Sequence, residues 1–348
     1  MSGKGPGADR DPSGMLARVE GTGEQWREAL ARFDPKALPA RRSWSSAVVA
    51  GMGGSAIAAD LLAHYALRRG RVPWEVSRDY ALPSAHGRGS LAILVSYSGN
   101  TEETLAAYRE AGERGMDRLV LTTGGEIGRL AARDRVPVQP LPSGYAPRAA
   151  LAASFVLLGR AAESLRLVDV EPGAWEETPR AVEGVLSADR APLERVAGDL
   201  QGKLVLVYGA RDPLGAVLVR ARGQLSENAK VLAGHHALPE LHHNEIEGWT
   251  GVAPHAQRLH VLLLRDESEH ERVRLRADVT AGVVRDAHVP LTELRGQGKT
   301  LLARLFALIV QVDLVSVYLA YREGRDPTPV PGITALKDRL SAVPGGRA

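Results

Sequence analysis

Apolar residues in this chain gather in short runs, each followed by a turn rich in glycine or serine and then by a longer alanine- and leucine-rich stretch. Residues 46–50 lead into Gly51-Met52-Gly53-Gly54-Ser55, and residues 56–67 follow with helical character. The pattern recurs at residues 91–95, the turn Ser96-Tyr97-Ser98-Gly99-Asn100-Thr101 and the helix-prone residues 102–114. Further short strands are expected at 119–122 and 136–139. Strand, turn and helix in that order make the repeating unit of a parallel α/β sheet. An open, mostly parallel sheet is therefore expected up to about residue 141.

Residues 149–165 read as a buried helix leading out of that sheet, and residues 166–200 as a proline-interrupted bridge containing helices. A second series starts with strands at 203–208 and 258–264 and ends in a long helix at 300–321. The prolines of residues 325–332 predict an extended connector, because proline disfavours helix at and before its own position. A last helix is expected at 333–340. These elements predict a loose, flexible tail over 1–15, an N-terminal domain over 16–168 and a C-terminal domain over 169–348. The glycine- and serine-rich turns of the first half have no copy in the second. The run at 301–321 is apolar enough to suggest a membrane, but Arg304, Gln311 and Asp313 interrupt it. An aspartate near a bilayer centre costs roughly 2.5–3.5 kcal/mol, so a buried core helix is the better reading.

The 348 residues suggest about two domains. Hydrophobic residues make up 44% and charged residues 24%, which excludes a mainly disordered chain. Lysine and arginine total 44 against 41 acids, and the two signs alternate along the chain, so no nucleic-acid partner is expected. The chain has no cysteine, which removes disulfides, thiolate nucleophiles and cysteine metal sites. No signal-peptide pattern opens the sequence, and a cytoplasmic location is expected.

The two turns carry the chemistry. In a parallel sheet both fall on the carboxyl edge, where open α/β folds bind ligands. Glycines admit close approach of the backbone, helix N-termini expose unpaired N–H groups, and hydroxyls add neutral donors. That set suits a phosphate monoester without a lysine or a metal. The plainer alternative is capping, since Asn100 followed by Glu103 has the spacing of a capping box. Glu102 and Glu103 would repel a phosphate unless they point elsewhere. The histidine pairs His235-His236 and His242-His243 raise zinc as an alternative, although ligand sets of the usual spacing are missing.

Gly51-Met52-Gly53-Gly54-Ser55 together with Ser96-Tyr97-Ser98-Gly99-Asn100-Thr101-Glu102-Glu103-Thr104 resembles the sugar isomerase (SIS) domain superfamily. Gly223-Gln224-Leu225-Ser226-Glu227-Asn228-Ala229-Lys230, Glu240-Leu241-His242-His243-Asn244-Glu245-Ile246 and the terminal helix with Lys337 narrow the resemblance to the bifunctional phosphoglucose/phosphomannose isomerase family. It covers about residues 45–340. The resemblance implies two SIS-type domains, each a flavodoxin-like three-layer sandwich, and an intramolecular oxidoreductase that uses no metal or cofactor. It further implies that Gly54, Ser55, Ser96, Ser98 and Thr101 hold a sugar 6-phosphate and that Arg148 lies over the reacting carbons. Glu227 would be the base, and His243 and Lys337 would bind substrate and assist ring opening. Homodimers are implied, with His243 reaching the partner subunit's site.

Such chemistry fits these residue types. Histidine, with an unperturbed pKa of ~6.5, can move a proton during ring opening. A positioned carboxylate can take the C2 proton, and a fixed guanidinium favours the enediolate over the ground state. By pattern alone Glu227 and Lys230 could instead be a solvated helical pair, Arg148 a surface cation at a helix start and Lys337 an exposed helix lysine. The alternative function is a non-catalytic sugar-phosphate-binding regulator that keeps the turns and does without the base.

Overall fold

The computed structural model describes residues 10–40 and 43–342. Among these, two fully parallel sheets dominate, one in each of two compact units. The first unit comprises Glu24–Val170 together with the segment beyond Pro331, and the second comprises the described residues up to Gly23 together with Glu171–Val330.

In the first unit, strands β1 (Ser46–Gly51), β2 (Trp74–Ser77), β3 (Ser90–Ser96), β4 (Asp117–Thr122) and β5 (Val138–Pro140) align in the order β2-β1-β3-β4-β5. This is the flavodoxin-like order that the sequence implied. Val48 of β1 stands beside Ala92 of β3, and the last β1 residue, Gly51, lies beside Val95. Strand β3 is buried along its whole length because helices cover both faces, which is why it reads as a continuous apolar run. One face carries the core of Val48, Leu94, Val120 and Ile127 against Tyr108.

The second unit repeats the plan with four strands, β6 (Leu204–Ala210), β7 (Ala233–Leu238), β8 (Leu259–Arg265) and β9 (Leu291–Arg295), in the order β7-β6-β8-β9. Its centre is the helix Leu301–Arg322, buried at every residue but the last. A helix apolar all round belongs in a core. The three polar residues that break its apolar run are all paired inside the unit. Arg304 Nε donates to Asp266 Oδ2 over 2.8 Å, Arg220 Nε donates to Asp313 Oδ1 over 3.1 Å, and Gln311 Nε2 donates to the Arg295 carbonyl over 2.9 Å.

Two expectations about the chain ends change. Of the tail expected over 1–15, the described part is fixed: Asp11 is buried and its carboxylate accepts the amides of Met15 and Leu16, each over 2.8 Å. The Tyr321 hydroxyl donates to the same carboxylate over 3.0 Å, which explains why the helix Met15–Glu20 counts with the second unit and not with the first sheet. Residues 1–9 lie outside the described residues. The extended connector ends sooner than its prolines suggested, because Pro331 opens the helix Pro331–Ser341. Proline is well suited to a first helical turn, where no partner for its missing N–H is required.

Candidate active site

Sheet order reverses between β1 and β3, and the crevice beyond their carboxyl ends is where open α/β sheets take ligands. Both predicted turns open onto it. The helix Gly53–Arg69 follows β1 and carries the buried Ser55 in its first turn, with Met52 at the N-cap making no side-chain bond. The helix Glu102–Glu113 follows β3, and the side chain of its N-cap, Thr101, accepts no amide of that helix. Two helix N-termini, each equivalent to about half a positive charge, thus present first-turn amides that no side chain caps.

Glycine is required at two points. A Cβ on Gly54 would stand 2.7 Å from the Pro147 carbonyl oxygen and 3.1 Å from Arg148 Cα. Only glycine lets the short turn Pro147–Ala149 lie against the start of the Gly53–Arg69 helix, and that turn delivers Arg148. The Arg148 side chain is 6% exposed, so the surface-cation reading does not hold. Gly99, at φ 72°, would place a Cβ 1.9 Å from the Gly124 carbonyl oxygen, which seats the Ser96–Thr101 turn on the next loop.

The hydroxyls of that turn divide into two kinds. Ser96 is buried; its Oγ shares a 2.9 Å hydrogen bond with Thr101 Oγ1 and accepts the Gly99 amide over 3.1 Å. It shapes the turn. Ser98 is exposed, and its Oγ accepts a long 3.3 Å bond from the Asn100 amide. The capping-box alternative fails: Asn100 Oδ1 accepts the Glu126 amide over 2.9 Å and so caps the helix Gly125–Asp134 instead of its own. Glu102 is also engaged elsewhere. The Tyr80 hydroxyl donates to Glu102 Oε2 over 3.3 Å, and the negative charge of Glu103, with that of Glu102, holds the phenol above its ordinary range.

Tyr97, which sequence reasoning passed over, ties this turn to the arginine. Its hydroxyl donates to the Pro142 carbonyl and accepts the Tyr145 amide, each over 2.9 Å, and so fixes the strand-to-turn segment that ends at Arg148. The signal was present as an aromatic inside a glycine–serine turn.

The second unit holds Glu227 and His243. Glu227 is half-buried in the last turn of the helix Arg211–Ala229. The helix ends there because Lys230 takes a left-handed backbone, φ 59°. Its ammonium donates to the carbonyls of Glu227 over 2.9 Å and Asp326 over 2.8 Å, the favourable place for a cation at a helix C-terminus. Asn228 is fully buried and donates to Ser316 Oγ over 2.9 Å, which locks the same turn onto the Leu301–Arg322 helix.

His242 and His243 separate cleanly. His242 Nδ1 accepts from Arg276 Nη1 over 3.1 Å, so its proton sits on Nε2, 2.7 Å from Thr280 Oγ1. Burial, and then the charge of Arg276, push its pKa down and keep it neutral. His243 is exposed and has no side-chain hydrogen bond or ion pair among the described residues. Its neighbour is a structural histidine; His243 is available for chemistry.

Topology separates the two candidates within this unit. The Arg211–Ala229 helix starts at the carboxyl end of β6 and runs back to where β7 begins, so Glu227 lies toward the amino edge of the sheet. Strand β7 then advances about 17 Å from Ala233 to Leu238 at ~3.3 Å per residue, and His243 follows in the turn Glu240–His243 at the carboxyl edge. The carboxyl edge of this second sheet also differs from the first. Beyond β8, the place that corresponds to the Ser96–Thr101 turn holds Arg265 paired with Glu269 over 3.2 Å and Arg304 paired with Asp266, all buried. Lys337 lies on the exposed helix Pro331–Ser341.

A family profile described as the SIS domain matches residues 42–158, and one described as the bacterial phospho-glucose isomerase C-terminal SIS domain matches residues 190–340. The chain is 35% identical over 303 residues to a bifunctional phosphoglucose/phosphomannose isomerase of Caldicellulosiruptor bescii, covering 85% of this chain and 89% of that one. A protein of the same description from Aquifex aeolicus is 36% identical, covering 84% and 89% respectively. Among solved structures, a hypothetical protein from Thermus thermophilus superposes with a TM-score of 0.72 at 17% identity, over 95% of this chain and 90% of that one. That likeness shows the fold.

Proposed function

Because the chain belongs to the bifunctional phosphoglucose/phosphomannose isomerase family, we propose that it interconverts glucose 6-phosphate or mannose 6-phosphate with fructose 6-phosphate. The observation that carries this reading is the crevice between β1 and β3. There two side-chain-uncapped helix N-termini, the exposed Ser98 and the buried Arg148 meet at one sheet edge, held together by Gly54 and Tyr97.

The 6-phosphate is taken by the first-turn amides and hydroxyls of Gly54, Ser55, Ser98 and Thr101, with Ser96 holding the turn in shape. A doubly charged phosphate gains from both helix dipoles, and Glu102 is held by the Tyr80 hydroxyl. His243, with Lys337, protonates the ring oxygen and takes the hydroxyl proton as the ring opens. Glu227 then removes the C2 proton and returns it to C1. Negative charge builds on the two enediolate oxygens, and Arg148, already desolvated by burial, stabilises it where a water-exposed cation would do so weakly.

We further propose a homodimer in which His243 serves the partner subunit's site. Support comes from the opposite placement of Glu227 and His243, one toward the amino edge and the other at the carboxyl edge of the second sheet. A cytoplasmic location accords with a phosphorylated hexose as substrate.

The decisive measurement is deuterium uptake from D₂O into fructose 6-phosphate. The protein should label the sugar at C1 and release glucose 6-phosphate or mannose 6-phosphate. Glu227→Gln should lower turnover by about 10²–10⁴-fold, the usual worth of a positioned base, while leaving affinity for the sugar phosphate in place. Binding without any label would instead favour a regulator.

A further inference from the structure

The turn that carries His243 is held from both sides of that residue. On one side His242 is fixed to Thr280 and Arg276, and Leu241 is buried. On the other side lies Glu245. One of its carboxylate oxygens accepts the Tyr208 hydroxyl, and the other meets His236 Nδ1 over 2.6 Å. Tyr208 and His236 are register partners on β6 and β7, so a single carboxylate spans the two strands. Tyr208 is fully buried with its ring edge-on to Trp249 at 6.3 Å, and burial, followed by Glu245, pushes its hydroxyl well above the ordinary phenol range. It therefore remains a donor. Between these anchors Asn244 adopts φ −152°, ψ −75°, and its Oδ1 accepts the Glu245 amide over 2.6 Å.

We propose that Glu245 is the positioning residue for His243: by bridging Tyr208 and His236 it fixes the turn and thereby sets the direction in which the free imidazole is presented. The proposal rests on the reading of His243 as the ring-opening group. A carboxylate is needed because both of its partners donate. Glutamine can accept from Tyr208 but offers N–H to His236 Nδ1, which must then give up its proton. Aspartate is one methylene short.

Ring opening and proton transfer can be read separately with two ketoses. Fructose 6-phosphate closes into a ring, whereas 5-deoxyfructose 6-phosphate has no O5 to close with and stays open. Glu245→Ala should lower kcat on fructose 6-phosphate at least tenfold with KM within twofold. The same variant should leave deuterium uptake into 5-deoxyfructose 6-phosphate within twofold of the unsubstituted protein. Tyr208→Phe, which keeps the His236 contact, should show the same split to a smaller degree, and Glu245→Gln should recover part of the loss. Equal losses on both sugars, or none on either, overturn the proposal. If the unsubstituted protein labels neither sugar, it is the isomerase reading that fails. The anchoring is then decided by amide hydrogen exchange: unchanged protection of residues 240–245 in Glu245→Ala overturns it, and faster exchange confined to that turn sustains it.

Discussion

Gly54 shows how one hydrogen atom in place of a methyl group determines a site. Because a Cβ there would meet backbone and not a flexible side chain, the strain has nowhere to dissipate. Gly54→Ala should displace the Pro147–Ala149 turn, cost about 1–3 kcal/mol of stability and raise KM for fructose 6-phosphate. Urea denaturation and steady-state kinetics on the same preparation check both. Single residues also mark where sequence reasoning reached its limit. Arg148 and Lys337 both look like ordinary helix cations by pattern, yet one is buried and the other exposed. The difference comes from a contact to Gly54, far back along the chain, and no local pattern encodes it. By pattern alone His242 and His243 were likewise indistinguishable, and only the family resemblance singled out His243; Thr280 and Arg276 engage the first and leave the second alone.

Among the elements, the central strands were legible, and of the edge strands only β5, expected at 136–139, was. Strands β1, β3, β4, β6 and β8 are covered on both faces and betray themselves as apolar runs. Strands β2, β7 and β9 lie at sheet edges with mixed burial, and sequences such as Ala-Gly-His-His-Ala-Leu carry no such signal. The capping reading of Asn100 failed for a related reason: the side chain found its amide on the following helix, across a loop contact that spacing cannot reveal. Asn100→Ala should therefore destabilise the Gly125–Asp134 helix and not the Glu102–Glu113 helix, at a cost of about 0.5–2 kcal/mol. Hydrogen exchange resolved to the two helices would tell them apart, and faster exchange in the Glu102–Glu113 helix alone would reverse the assignment.

At the scale of the whole molecule, the fold class and the family could be read from a few short strings, because those strings sit where a parallel sheet must bind its ligand. What they did not reveal is that Glu227 and His243 occupy opposite edges of one sheet. In a two-fold dimer this has a measurable result. Glu227→Gln and His243→Ala proteins should each be nearly inactive alone. Mixed under conditions that exchange subunits, they should regain roughly a quarter of full activity, since half the dimers become heterodimers and each of those has one intact pair. No recovery on mixing would place both residues in the same chain's site.

The ion pairs beyond β8 carry a consequence of their own. Arg265 and Arg304 spend their charge on Glu269 and Asp266 inside the fold, so neither guanidinium is left to meet a guest beyond β8. Calorimetric titration with fructose 6-phosphate should accordingly level off at one equivalent per polypeptide, although the architecture is doubled.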